Sequence, residues 1–257
     1  MTHPRLVILG SSAGRASVHR AASCYLLDLD DFGVLFDCGD GATRNFLQAG
    51  YRPGWVSQVV ISHTHADHVC GLPYFIQQRH LEKATTPLAI ICPGQTIEPL
   101  KDLLVLSHLY PEWLPFEITF VPLDTRAVWT IGGAQIAAFA TTHLDPQRTF
   151  AAGQGYPDPG QCYAFHVQVN GTTLVYSADL GSLADLDFVP CPIDRLLIET
   201  SHVNLEELWR WIEERQTRHV ILTHLSDDFD LALLSRAARF TSATVVVAQD
   251  LMVLDLA

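Results

Sequence analysis

Runs of uniformly or alternately apolar residues, bounded by polar, glycine or proline clusters, recur along the whole chain. Read as strands, they fall at 5 to 9, 23 to 29, 33 to 37, 57 to 62, 88 to 92, 117 to 121, 134 to 140, 162 to 169, 172 to 177, 194 to 199, 219 to 223 and 243 to 247. Between some of them the pattern predicts helices over 41 to 49, 73 to 82, 96 to 107, 204 to 215 and 229 to 239. Pro73 suits a first helical turn, where a missing amide hydrogen costs nothing, and Asn204 suits an N-cap. Asn170-Gly171, between two alternating runs, predicts a two-residue hairpin turn whose central positions both need positive φ. Asp31-Phe32-Gly33 carries a weaker form of the same signal. The irregular Pro/Gly-rich stretch from 145 to 160 reads as a long loop of the kind that often carries function. There is no repeat at a fixed period, and strands interleaved with helices predict sheets covered by helices.

Composition places these elements in a single domain spanning 1–257, since 257 residues with 48% hydrophobic and 17% charged content can enclose a sizeable core. Sixteen basic against 28 acidic residues give a formal charge of -12, which repels polyanions and supplies no general basic footprint. Any nucleic-acid substrate must therefore be held locally. The first residues run straight into a strand-like segment without the pattern of a secretion signal, and no apolar run approaches membrane-spanning length. A cytoplasmic protein with no membrane partner is expected. Cys24, Cys38, Cys70, Cys92, Cys162 and Cys191 are scattered without a Cys-x-x-Cys pair, so neither a disulfide framework nor a thiolate zinc knuckle is indicated, and they read mostly as small buried hydrophobes.

The densest chemistry follows the apolar run Val59-Val60-Ile61, where His63, His65, Asp67 and His68 place three imidazoles and a carboxylate within six residues. Such groups crowded at a strand end would repel or stay unsatisfied if buried empty, whereas zinc, manganese or iron accept this mixture. Three later segments share the grammar of an apolar strand ending in a ligand type, at His143, Asp179 and His224. His166 shares the polar face of an alternating strand with Gln168 and is expected in solvent. His80, His108 and His219 read as peripheral, and His3 as part of a frayed terminus.

With His-x-His-x-Asp-His at 63 to 68, followed by His143, Asp179 and His224, the chain resembles the metallo-β-lactamase-fold hydrolases. The resemblance implies an α/β (α+β) fold, a four-layer αβ/βα sandwich with two divalent metal ions, zinc or else manganese or iron. In that arrangement His63, His65 and His143 hold one ion, Asp67, His68 and His224 the other, and Asp179 bridges them. Leu9-Gly-Ser-Ser-Ala-Gly14, Leu35-Phe-Asp-Cys-Gly-Asp-Gly41, Gly71-Leu-Pro73 and Thr223-His-Leu-Ser226 are similar to the ribonuclease Z and phosphodiesterase branch. Two departures matter. The long arm with which ribonuclease Z enzymes grip tRNA is replaced by the Asn170-Gly171 turn, and the family's His-Glu-Ala-Thr motif is represented by Ile198-Glu199-Thr200-Ser201, with His202 on the other side of the glutamate.

The function this implies is a dinuclear-metal phosphodiesterase that cleaves a small or nucleotide-type phosphodiester through a bridging hydroxide. A ribonuclease Z-like tRNA 3′-end endonuclease, with RNA as the partner, and a lactone, thioester or other carboxylic ester hydrolase are the alternatives. Asp67 orients or deprotonates the water, His202 protonates the leaving oxygen or else caps the following helix, and Glu199 orients a neighbouring imidazole. Arg20, His19 and Ser12, in an early loop, are candidates for the substrate phosphate. A homodimer is also implied, with Leu109-Tyr-Pro-Glu-Trp-Leu114 either a subunit contact or part of the core.

Overall fold

A computed structural model describes residues 3–229 and 241–256. Among these residues the strands form two seven-stranded sheets. The first contains β1 (Arg5–Gly10), β2 (Cys24–Asp28), β3 (Gly33–Phe36), β4 (Val56–Val60), β5 (Leu88–Pro93), β6 (Ile118–Leu123) and β14 (Val253–Asp255), in the order β14-β1-β2-β3-β4-β5-β6. The second contains β7 (Val128–Ile131), β8 (Ala134–Thr141), β9 (Cys162–Val169), β10 (Thr172–Tyr176), β11 (Arg195–Glu199), β12 (His219–Thr223) and β13 (Thr244–Val247), in the order β13-β12-β11-β10-β9-β8-β7. Each sheet begins as antiparallel hairpins and continues as parallel strands.

Alternation along the strands sorts side chains between two environments. In β1, Leu6 and Ile8 face the second sheet, while Val7 and Leu9 face the helices outside, so the strand is apolar throughout. Between the sheets, Phe36 meets Phe165 at 5.1 Å and Tyr25 meets Tyr176 at 4.8 Å between ring centroids, both tilted. Such aromatic pairs contribute about 0.5–1.5 kcal/mol each beyond the area they bury. Helices α1 (Ala42–Gln48), α3 (Leu72–Leu81) and α4 (Ile97–Leu106) cover the first sheet through Phe46, Phe75, Ile76, Leu100 and Leu104. Helix α6 (Leu205–Glu214) covers the second through Leu208, Trp209 and Ile212. Two sheets packed face to face between helices make the expected four-layer αβ/βα sandwich.

Arg79 is a polar exception inside the outer layer. Fully buried on α3, its guanidinium donates to the carbonyls of Pro53, Val56 and Thr86 and lies 4.6 Å from the Phe116 ring centroid. Burial pulls its pKa down to about 10.

The hairpin between β9 and β10 turns on Asn170 (φ 50°) and Gly171 (φ 80°), as the dipeptide predicts. Between β2 and β3 the left-handed residue is Asp30 (φ 66°), one position before the expected Asp31. Several expectations are corrected. Residues expected to form a loop from 145 contain helix α5 (Asp145–Gln154), opened by Pro146 and closed by Gly155 at φ 72°. Ala151 is its single buried residue, so no apolar stripe betrays it in the sequence. The edge strands β7 and β14 and the four-residue helix α2 (Ala66–Val69) were not anticipated. His166 is half-buried rather than in solvent, with burial lowering its pKa. Cys70 and Cys191 are exposed, whereas the other four cysteines are buried. In the 109 to 114 segment Leu109 joins the core while Trp113 is 73% exposed. The helix expected over 229 to 239 lies, apart from Phe229, outside the described residues.

Topology alone brings the relevant strand ends together. β8 and β10 each pair antiparallel with β9, so they run in one direction, and β11 and β12 run parallel to β10. The carboxyl ends of all four therefore share one edge of the second sheet. The end of β4 meets this edge, where the Tyr163 amide donates to the Ser62 carbonyl at 3.2 Å.

Candidate metal centre

Seven side chains from these strand ends converge. His63 Nε2 lies 3.0 Å from His65 Nδ1, which lies 3.2 Å from His143 Nε2. Asp179 Oδ2 faces this trio, 3.8 Å from His63 Nε2 and 3.5 Å from His143 Nε2. Asp67, His68 and His224 form a second group, with Asp67 Oδ2 at 3.1 Å from His224 Nε2 and 3.4 Å from His68 Nε2. Asp179 Oδ1 faces that group at 3.4 Å from His68 Nε2 and 3.6 Å from His224 Nε2. One carboxylate thus turns a separate oxygen toward each cluster.

The cluster fits metal ions. His68 Nε2 and Asp179 Oδ1 are both buried and have no hydrogen-bond partner among the described residues. Orphaned buried polar atoms are costly, and a shared cation relieves both at once. Within each group, one ligand atom per residue lies within 4.8 Å of the others. Three glycines let the backbone crowd around them. A Cβ on Gly39 would lie 2.1 Å from the Asp67 carbonyl oxygen, one on Gly71 2.1 Å from that of Gly39, and one on Gly181 2.1 Å from Thr142 Oγ1.

Outer partners orient the imidazoles. His68 Nδ1 bonds to Asp37 Oδ2 at 2.8 Å, and Asp37 also accepts from the Ser62 amide at 2.7 Å, the Ser62 hydroxyl at 2.9 Å and the Tyr176 hydroxyl at 2.6 Å. His63 Nδ1 meets Ser62 Oγ at 3.0 Å, and His224 Nδ1 meets Ser201 Oγ at 3.1 Å. With each Nδ1 engaged, each Nε2 is left for the centre. Asp37, Ser62 and Ser201 were not singled out from the sequence. Asp37 lies in the quoted Asp-Cys-Gly-Asp segment, but nothing local indicates that it reaches His68.

Electrostatics agree with a cation here. Burial, reinforced by His68, pushes the His63 imidazole well below its ordinary pKa, and burial also lowers His65 and His143, favouring their neutral, ligating forms. Burial opposes ionisation of Asp179, yet His68, His224 and His63 hold its carboxyl well below the usual range. Burial likewise opposes ionisation of Asp67, but its hydrogen bond with His224 Nε2 and the His68 imidazole 3.4 Å away hold its carboxyl well below the usual range. Burial disfavours a charged His68, but Asp179 and Asp37 outweigh it and raise its pKa. The field that keeps a proton on His68 is one that attracts positive charge.

His202 reaches the cluster from the loop after β11. Its Nδ1 lies 3.1 Å from Glu199 Oε1 and 3.9 Å from Asp179 Oδ2, and its ring centroid is 4.7 Å from that of His143. Glu199 is buried, and its carboxylate also accepts from the amides of Leu180, Ser201 and His202. That hydrogen bond raises the pKa of His202 against the effect of burial. The cap of α6 is Asn204, whose side chain accepts from the amides of Glu206 and Glu207.

The early loop is only partly recruited. Arg20 and Ser12 line a cavity of about 190 Å³ together with Asp67. Ser12 is buried with its hydroxyl donating to the Arg15 carbonyl, and Arg20 donates through Nη1 to Ser11 Oγ and the Ala248 carbonyl. His19 is exposed and lines neither this cavity nor its neighbour. His80, His108, His166 and His219 stand outside the convergent groups.

Beta-lactamase superfamily domains match this chain over residues 33–225, a span that contains all seven convergent side chains. The chain belongs to the beta-lactamase superfamily. This superfamily chain is 31% identical over 217 residues to ribonuclease Z of Chlamydia abortus, covering 75% of this chain and 70% of that one. It is 29% identical over 206 residues to ribonuclease BN of Enterobacter sp. (strain 638), covering 79% of this chain and 61% of that one. The chain spans about half of other ribonuclease BN relatives. Among solved structures it is similar to the metallo-beta-lactamase fold protein YhfI from Bacillus subtilis (TM-score 0.79, 22% identity, 99% of this chain and 100% of that one). It is also similar to the short form of human tRNase Z (TM-score 0.74, 19% identity, 98% and 99%) and to a diphosphatase of the PhnP family (TM-score 0.71, 16% identity, 98% and 97%). At these identities the structural likeness is one of fold.

Proposed function

We propose that this superfamily hydrolase is a two-metal phosphodiesterase acting on a small or nucleotide-type phosphodiester. The observation that carries the reading is the Asp179 carboxylate, with one oxygen facing His63 and His143 and the other facing His68 and His224. His63, His65 and His143 would hold one divalent ion, Asp67, His68 and His224 the other, and Asp179 both, with zinc, manganese and iron all compatible with this donor set. Bound there, the ions supply a water of lowered pKa and positive charge against the oxygens of a diester.

The chain's own groups do the rest. Asp67, held ionised, orients the attacking water and accepts its proton. His202 donates a proton to the leaving oxygen, its other ring face restrained by His143 and its Nδ1 by Glu199. Glu199 is a positioning residue, since its buried carboxylate touches His202 rather than the cleft. A small substrate is favoured because β9 and β10 are joined by a two-residue turn, where a tRNA-gripping arm would have to emerge.

Ribonuclease Z-like cleavage of tRNA 3′ ends is the second reading, favoured by the likeness to ribonuclease Z of Chlamydia abortus. A panel of methyl p-nitrophenyl phosphate, dinucleotides, precursor tRNA, a lactone and a thioester, given to metal-depleted and zinc- or manganese-reconstituted protein, separates these readings. Turnover of the small diesters restored by metal is expected. Preference for precursor tRNA would transfer the assignment to the second reading, and turnover of the lactone or thioester alone would overturn both.

A further inference from the structure

The cavity beside Asp67 does not end there. Ser17, Arg20, Asp40 and Cys70 form walls both of that cavity and of a second, of about 390 Å³, which continues to Arg44 on α1 and Tyr74 on α3. The larger cavity is of the size that takes small ligands.

Its lining is not explained by packing. Tyr74 is 58% exposed, whereas Leu72, Phe75 and Ile76 of the same helix are buried against the sheet. Arg44 is exposed, and among the described residues its one hydrogen bond runs from Nε to Asn45 Oδ1 at 3.3 Å, which leaves its terminal nitrogens without a partner there. Thr43 is 3% exposed, lines the cavity, and has a buried hydroxyl without a hydrogen-bond partner among the described residues. In a chain of formal charge -12, two guanidiniums beside an accessible aromatic ring form a local site for an anionic, planar ligand.

We propose that this trough holds the nucleoside attached to the scissile phosphate, an inference that rests on the phosphodiesterase reading above. The Tyr74 ring stacks on the base, because every base offers a π-face to an aromatic partner. Arg44 pairs with a phosphate oxygen, and Asp40, the acid common to both cavities, accepts from sugar hydroxyls. The ligand class is a nucleotide or nucleotide ester, placed with its phosphate toward Asp67 and its base toward α3.

Two measurements test this. Calorimetric titration of thymidine 5′-monophosphate into metal-depleted protein should show binding that weakens roughly tenfold in Tyr74→Ala, the contribution of one stacking aromatic, and survives in Tyr74→Phe. Arg44→Ala should weaken it comparably, with Arg44→Lys intermediate. In reconstituted protein, the preference for thymidine 5′-p-nitrophenyl phosphate over methyl p-nitrophenyl phosphate should fall about tenfold in Tyr74→Ala, since the two esters share a leaving group. No binding by the wild type, or binding and preference indifferent to both alanine variants, would overturn the assignment while leaving diester turnover intact. Binding that depends on Tyr74 without hydrolysis of either ester would instead remove the phosphodiesterase reading and leave the nucleotide site standing.

Discussion

At the scale of single residues, the centre depends as much on hydrogen bonds behind the imidazoles as on the imidazoles themselves. Asp37 is the clearest case, because its carboxylate gathers Ser62 and His68 from the segment after β4 and Tyr176 from the end of β10. Replacing it by Asn keeps the shape but loses the charge that fixes the His68 proton on Nδ1. Asp37→Asn is expected to weaken metal binding about 10–100-fold, measured by competition with a chromophoric chelator. Unchanged affinity would show that His68 does not need this partner. For His202, a proton-donating role makes a different demand. His202→Ala should lower kcat by about 10²–10⁴ on a diester with an alkoxide leaving group. With p-nitrophenolate, which leaves without a proton, the loss should be much smaller. Equal losses on the two substrates would assign His202 to binding rather than to proton transfer. Sequence motifs name the ligand types in this region, but the hydroxyl of Ser201 reaches His224 across 23 positions and the carboxylate of Asp37 reaches His68 across 31. No local spacing encodes such contacts.

At the scale of elements, short connections carry the site and glycines allow them to pack. Helix α2 runs from Ala66 to Val69, and the Gly71 that follows lies against the Gly39 carbonyl with no room for a side chain. Gly71→Ala is expected to destabilise the fold by about 1–3 kcal/mol through overpacking, read from urea denaturation, and to reduce metal content with it. Asn204→Ala makes a contrasting case. It removes the cap of α6 and should cost about 1 kcal/mol while metal content holds, since Asn204 spends its side chain on the amides of Glu206 and Glu207 and is not among the convergent groups. Loss of metal in Asn204→Ala would mean that α6 supports the centre through His202 after all. Strands were legible because their apolar runs are buried on both faces, as in β1. Helix α5 was not, since it buries only Ala151 and its terminal Pro146 and Gly155 also suit a loop.

At the scale of the whole molecule, the centre is a junction between two sheets that otherwise meet through apolar contacts. Candidate ligands from the end of β4 face candidate ligands from the ends of β8, β10 and β12, so ions held among them would tie the layers together. Because the unfolded chain cannot assemble seven ligands, metal bound to the native state should stabilise it, by about 2.7 kcal/mol at a free concentration one hundred times the dissociation constant. Thermal unfolding with and without a chelator measures this, and an unchanged midpoint would argue that the side chains hold no metal. What the sequence by itself determined was the set of buried strands, the four-layer arrangement implied by resemblance, and the identities of the side chains at the strand ends. Those properties are local, carried by periodicity and by residue types next to each other in the chain. Only the tertiary structure decided that Asp179 divides its oxygens between two clusters, that His202 turns toward Asp179, and that the cavity lined by Arg44 and Tyr74 shares walls with the one beside Asp67. These depend on how two sheets and their helices pack, and side chains from elements distant in the chain acquire a common geometry only once that packing exists.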